Sequence, residues 1–206
     1  MQALTRGKKS SLLARAMSIF LARHGETEWN RVGRWQGKTD IPLSEVGRAQ
    51  ARALADRLRD RDVTEIFSSD LSRARETAEI VAETLGVARL SVDPRLRERG
   101  LGCFEGLTRE ECAERHAEAW ARYLTDRRIT PTDAEPHEQV VARFIAALTA
   151  VSVSANRTGH VLVVSHGAAI RSFIHTITGT EPAPLANAAL FLVDHGSAGF
   201  TQLASE

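Results

Sequence analysis

The chain has 206 residues, 43% of them hydrophobic and 26% charged, the proportions of an ordinary globular protein with one well-buried domain. A formal net charge of +1 implies no large electrostatic footprint, which argues against nucleic acid as the main partner. No apolar run approaches the roughly 20 residues that span a bilayer, so no membrane is expected, and the two cysteines, Cys103 and Cys112, fit neither a disulfide framework nor a zinc spacing, as for reduced thiols in the cytoplasm.

Residues 1–16 hold four basic residues and no acidic one around an apolar stretch too short for a signal peptide. We expect a flexible N-terminal extension there and a single domain over 17–206. Residues 18–22, "SIFLA", form a short β-branched apolar run that ends in polar residues, the signature of a buried parallel strand. Ser44 then predicts a helix start, with Val46, Ala49, Ala53, Leu54 and Leu58 as its inward face. A second strand is predicted over 64–69. A second helix follows over 71–85, with Ala74, Ala78, Val81 and Leu85 inward and Gly86 as its stop. The short strand "RLSVD" leads to Pro94 and the glycine-containing "RERGLGCFEG". Thr108 caps a helix through His116, and "ITPTDAEP" reads as a loop. Residues 138–151 are helical in pattern, 160–165 ("HVLVVS") form the clearest strand, and 167–177 continue as a helix. Residues 188–194 and "GFTQLA" close the chain as an antiparallel pair turning at His195 and Gly196.

Strands alternating with helices of this length predict an α/β fold: a three-layer α/β/α sandwich with a mostly parallel central sheet. The charged, aromatic-containing region from about Cys103 to His137 reads as an insertion over that sheet. Ligands of open α/β sheets bind beyond the carboxyl ends of the strands. Those ends carry Arg23 and His24, Asp70 and Arg73, and His166 and Gly167. Two histidines and two arginines therefore converge on one edge, an anion site with a nucleophile in it.

A competing phosphate motif stands nearby. "GRWQGKT", residues 33–39, looks like a nucleotide-binding P-loop, but it encloses three residues where four are required. The polar "ETEWNRV" before it is no buried strand, and Pro42 disfavours the helix that a P-loop needs. It reads as a turn-rich loop.

The Arg-His-Gly-Glu at residues 23–26 has companions in order: Asn30, "SSDLSRARETA" (68–78), "LRERGLGCFEG" (96–106) and "VVSHG" (163–167). Together they resemble the histidine phosphatase superfamily, also called phosphoglycerate mutase-like, from residue 18 to about 191. The resemblance implies that His24 is the nucleophile and forms a covalent phosphohistidine. It implies Arg23 and Arg73 as clamps on the phosphoryl oxygens, and Asn30 as an amide contact. His166 becomes the second active-site histidine, with a doubly protonated form stabilised by the phosphate dianion. Glu98 becomes the general acid and then base, with Glu105 second in rank. Gln36, Gly37 and Gly167 become substrate contacts, Lys38 a weaker one, and Gly25 leaves room for close backbone approach. Among the other histidines, His116, His137, His160 and His195 show no ligand spacing with carboxylates and His175 reads as packed or capping, so neither metal nor cofactor is expected.

The implied activity is a phosphoric monoester hydrolase of the histidine acid type. It would act without metal on a small phosphorylated metabolite, in a chain that could form the homodimers common in the family. The alternatives are a cofactor-dependent phosphoglycerate mutase and a catalytically idle relative that binds phosphorylated ligands. Against the mutase stand Ala168 and Ala169, where mutases usually carry Asn-Ser, and the thin echo "DRRITPTD" (126–133) of their phosphoglycerate-binding arginine pair. His137, Glu138 and Gln139 replace the Gly-Glu-Ser of many bacterial phosphatases, which leaves specificity through that segment open.

Overall fold

Six strands form one sheet in the order β3-β2-β4-β1-β5-β6, in a computed structural model that describes residues 18–154, 159–196 and 199–205. The strands are β1 (Ser18–Arg23), β2 (Val63–Ser68), β3 (Leu90–Val92), β4 (His160–Ser165), β5 (Leu190–Gly196) and β6 (Gly199–Ser205). The expected extension over 1–16 lies outside the described residues. β3, β2, β4 and β1 run parallel, whereas β5 and β6 are antiparallel to their neighbours. The predicted α/β/α sandwich with a mostly parallel sheet is therefore what the chain forms.

The alternation of side chains along the strands builds two cores. Ile19 and Leu21 of β1 and Val161 and Val163 of β4 face α6 (His137–Ser154) and α7 (Gly167–Thr178). Phe20, Ala22, Leu162 and Val164 face the opposite layer, α2 (Glu45–Leu58) and α3 (Ser72–Leu85). Burying each large aliphatic side chain there is worth about 1.5–3 kcal/mol against leaving it in water. A third apolar cluster, Leu101, Phe104, Cys112, Trp120 and Tyr123, holds the insertion, which folds as α4 (Arg109–Arg115) and α5 (Ala117–Thr125). Both cysteines are free.

Two expectations need correction. In α2 the buried face is Gly47, Ala51, Leu54, Ala55 and Leu58, while Val46 is 52% exposed and Ala49 and Ala53 face solvent. The phase slips because Gly47, having no side chain, lies against the Glu26 backbone, where a Cβ would come within 2.0 Å of the carbonyl oxygen. His195 and Gly196 belong to β5 rather than to a turn, and pair with Phe200 and Gly199. Among the described residues no helix is long and apolar enough to cross a membrane.

Candidate active site

The carboxyl ends of β1, β2 and β4 lie side by side, in register Arg23↔Ser165 between β1 and β4 and Ser68↔Val164 between β2 and β4. His24 continues that pairing, its N–H donating to the Ser165 carbonyl at 2.9 Å. The chain then turns away at Gly25, where a Cβ would meet the Gly47 oxygen at 2.4 Å, so glycine alone permits this approach to α2.

The His24 ring is buried, and its Nδ1 lies 2.6 Å from the Gly25 carbonyl oxygen. A carbonyl only accepts, so Nδ1 carries the proton and Nε2 keeps its lone pair. Burial first, and then the guanidiniums of Arg73 and Arg23, hold the His24 pKa well below its ordinary value. The arrangement presents a neutral imidazole with one nucleophilic nitrogen.

His166 stands 5.1 Å from His24 between ring centroids and is fully covered. Its Nδ1 accepts from Arg73 Nε at 3.2 Å, which puts the His166 proton on Nε2. That N–H has no hydrogen-bond partner among the described residues. With Arg73 donating to Nδ1, His166 holds a single proton, and the doubly protonated form expected beside a phosphate dianion would require Arg73 to release that nitrogen. Burial, Arg73 and His24 all depress its pKa.

Arg73, in the first turn of α3, is completely buried. Its Nη1 and Nη2 donate to the carbonyls of Thr39 and Gly37 at 2.8 and 2.9 Å. Burial brings its pKa down to about 10. Arg23 donates through Nη1 to the Leu185 carbonyl, while its Nε is unpartnered among the described residues. Gly167 opens α7 directly over it, where a Cβ would stand 3.3 Å from that Nε.

Asn30 lies in the short helix α1 (Glu28–Arg31), whose N-cap is Thr27. Its Oδ1 accepts from the Thr27 N–H at 3.1 Å and from Asn187 Nδ2 at 3.2 Å, so its amide NH2 is what remains for a ligand. Asn187 also donates to the His24 carbonyl at 3.3 Å, tying both predicted residues together.

Glu98 is placed at the start of α7. The helix has no side-chain cap of its own. Glu98 supplies one, its Oε2 accepting from the Ala168 N–H at 3.0 Å and its Oε1 from those of Ala169 at 2.9 Å and Arg99 at 2.8 Å. A carboxylate suits this place because the first turn of a helix has free N–H groups and a positive partial charge. Glu105, the second candidate, serves otherwise. It binds the N–H groups of Lys38 and Leu101 and the hydroxyl of Thr39, pinning the loop that carries Gly37. Lys38 pairs with Glu135 at 3.2 Å and lines a separate cavity.

Arg23, His24, Asn30, Gln36, Gly37, Arg73, Glu98 and Gly167 all line one pocket of about 400 Å³, with His166 packed behind His24. Gln36 is buried and its Oε1 has no partner among the described residues, as befits a residue awaiting a ligand. The outer wall also holds residues that sequence reasoning set aside or missed. Tyr123, Arg127 and Arg128 come from the insertion, and Arg171 and His175 from α7. Arg171 is paired with Glu181, and His175 faces the same carboxylate at 3.6 Å. Among the described residues no group of three or more His, Cys, Asp or Glu is placed to hold a metal ion.

Known proteins resemble the chain in sequence and in fold. The sequence pattern of the histidine phosphatase superfamily (branch 1) matches residues 19–204. The chain is 39% identical over 172 residues to a protein of Enterobacter sp. (strain 638) named "Probable phosphoglycerate mutase GpmB", covering 79% of this chain and 75% of that one. It is 36% identical over 179 residues to the metal-independent phosphoserine phosphatase of Arabidopsis thaliana, covering 85% and 75%. Among solved structures, a mycobacterial glucosyl-3-phosphoglycerate phosphatase complexed with VO3 superposes with a TM-score of 0.83 at 28% identity, covering 92% of this chain and 98% of that one.

Proposed function

The chain belongs to the histidine phosphatase superfamily, branch 1, and from that premise we propose that it hydrolyses phosphomonoesters of small metabolites through a phosphohistidine on His24, without metal or cofactor. The observation that carries this reading is the pairing of tautomers. His24 keeps a free Nε2 because Gly25 takes its Nδ1 proton, and His166 keeps a free Nε2–H because Arg73 takes its Nδ1. One ring attacks phosphorus and the other donates to a phosphoryl oxygen.

Phosphoryl transfer asks a protein chiefly for positioning and for positive charge around the equatorial oxygens. Arg23 Nε, the Arg73 guanidinium, the Asn30 amide and His166 Nε2–H supply these here. The His24 Nε2 lone pair forms the P–N bond as the ester P–O bond breaks, and the leaving oxygen takes a proton from Glu98. Of the two carboxylate oxygens, Oε2 holds one backbone N–H and Oε1 holds two. That proton, which a monoprotonated phosphoester can bring with it, therefore belongs on Oε2. Glu98, now a carboxylate, takes a proton from water. The hydroxide attacks phosphorus, the P–N bond breaks, and His24 regains its lone pair.

Relatives named as phosphatases for phosphoserine and glucosyl-3-phosphoglycerate support the hydrolase reading. The arginines of the outer wall suit a substrate with a polar or anionic tail. They also favour a second reading, a mutase that returns the phosphoryl group to a substrate oxygen, since Arg127 and Arg128 line the pocket after all. The deciding experiment is release of inorganic phosphate from 4-nitrophenyl phosphate in the presence of chelator, with acid-labile phosphate trapped on the protein. Turnover that His24→Ala abolishes supports the proposal. No turnover by folded protein, or turnover only with an added divalent ion, overturns it. Transfer to a phosphoglycerate outpacing release to water would favour the mutase.

A further inference from the structure

Arg99 is 2% exposed, yet among the described residues every hydrogen bond of its side chain goes to an uncharged oxygen. Nε donates to the Glu135 carbonyl at 2.8 Å and Nη1 to that of Arg127 at 2.6 Å. Nη2 reaches the carbonyls of Ile129 at 3.0 Å and Arg128 at 3.3 Å, and the Thr130 hydroxyl at 3.4 Å. Burying a guanidinium against neutral acceptors is costly, and burial does pull its pKa down.

The segment so gathered, 126–135, has no helix or strand and forms part of the pocket wall. It holds the Arg127 guanidinium over three rings, 5.6 Å from Trp35, 5.6 Å from Trp120 and 4.7 Å from Tyr123. Arg127 Nη1 is buried there without a partner among the described residues. The backbone N–H of Arg99 donates to Glu98 Oε1 at 2.8 Å. One residue thus touches the proton donor with its backbone and the pocket wall with its side chain.

We propose that Arg99 is a positioning residue for substrate selection, fixing the 126–135 wall relative to Glu98 so that Arg127 meets the substrate's far end while the leaving oxygen meets the acid. This rests on the phosphatase reading above. Lysine cannot replace it, because one ammonium has three N–H bonds on a single atom and the five acceptors need a planar fork.

The test compares phenyl phosphate with 4-carboxyphenyl phosphate, which differ by one carboxylate at the end remote from phosphorus. The proteins are the unchanged chain, Arg99→Lys, Arg127→Ala and the double variant, each checked by thermal melting, with Arg99→Met as a second variant should the lysine fail to fold. The unchanged chain should bind the carboxylated ester with the lower KM. Arg99→Lys should erase that advantage by roughly tenfold, and adding it to Arg127→Ala should cost little more, as for two residues in one network. A KM ratio unmoved by Arg99→Lys, multiplying effects in the double variant, or no preference for the carboxylate in the unchanged chain overturns the proposal. Failure of the unchanged chain to hydrolyse either ester would instead refute the phosphatase reading.

Discussion

Holding two imidazoles neutral inside the protein makes the fold sensitive to mild acid, and the size of the effect follows from the site. His24 and His166 have folded pKa values well below the ordinary 6.5, with burial the largest cause for both. The unfolded chain binds protons at these positions before the folded one does. Stability is therefore full above the unfolded value and falls as pH drops from there toward the folded values. Each ring costs at most about 1.4 kcal/mol per pH unit in that range, so going from about pH 7.5 to about pH 5.5 removes about 1.4 kcal/mol per ring, or nearly 3 kcal/mol for the two. That is a large part of the roughly 5–15 kcal/mol that holds a domain together. Carboxylates do not confuse this window. Asp70 and Asp93 are held low and Asp126 is brought down to about 2, so their losses come at more acid pH. The half-buried His137 adds in the same direction, less strongly. Urea unfolding across the window should show the midpoint falling, and His24→Gln or His166→Gln should each remove close to half of the fall. A wild-type midpoint that stays level, or glutamine variants with undiminished pH dependence, would refute the buried neutral pair.

Three further outcomes are expected. Gly37→Ala forces a side chain onto a φ of +50° and sets its Cβ 2.0 Å from Glu105 Oε1, so unfolding should show a loss of about 1–3 kcal/mol; inhibition by inorganic phosphate should weaken too, since the Gly37 carbonyl holds Arg73. Glu98→Gln should slow alkyl phosphates by roughly 10²–10⁴ and good aryl leaving groups far less; equal slowing of both, measured as kcat, would mean that Glu98 is not the acid. Asn187→Ala removes the bonds to His24 and Asn30 and should lower kcat/KM by roughly threefold to tenfold with little change in melting temperature; unchanged kinetics would show that neither residue relies on it.

The inner half of the site was readable because each group sits at the end of a strand that hydrophobic pattern already marks. Arg23 ends β1 and His24 follows it, His166 and Gly167 follow β4, and Arg73 lies in the first turn of the helix after β2. The outer half was hidden because its signals are not side-chain patterns. Arg99 binds backbone carbonyls, which every residue has, and nothing about the sequence around Asn187 says that it lies beside β1. The α2 phase failed for a related reason. A valine looks more like core than a glycine does, yet Gly47 is the residue that close packing requires. The P-loop look-alike has neither a strand directly before it nor a helix directly after it, and its lysine pairs with Glu135.

The third apolar cluster has a consequence for how such a protein can diversify. Trp35, Leu101 and Tyr123 belong to it or pack on it, and all three line the pocket. His24 and His166 follow β1 and β4 of the sheet, and Arg73 stands in α3, whose inward face belongs to one of the two larger cores. Changes among the side chains of the small cluster therefore act first on the shape offered to a substrate, and reach Arg73 only through Glu105 and the loop that carries Gly37. Reaction and choice of substrate rest on adjoining parts of one chain, joined at Arg99.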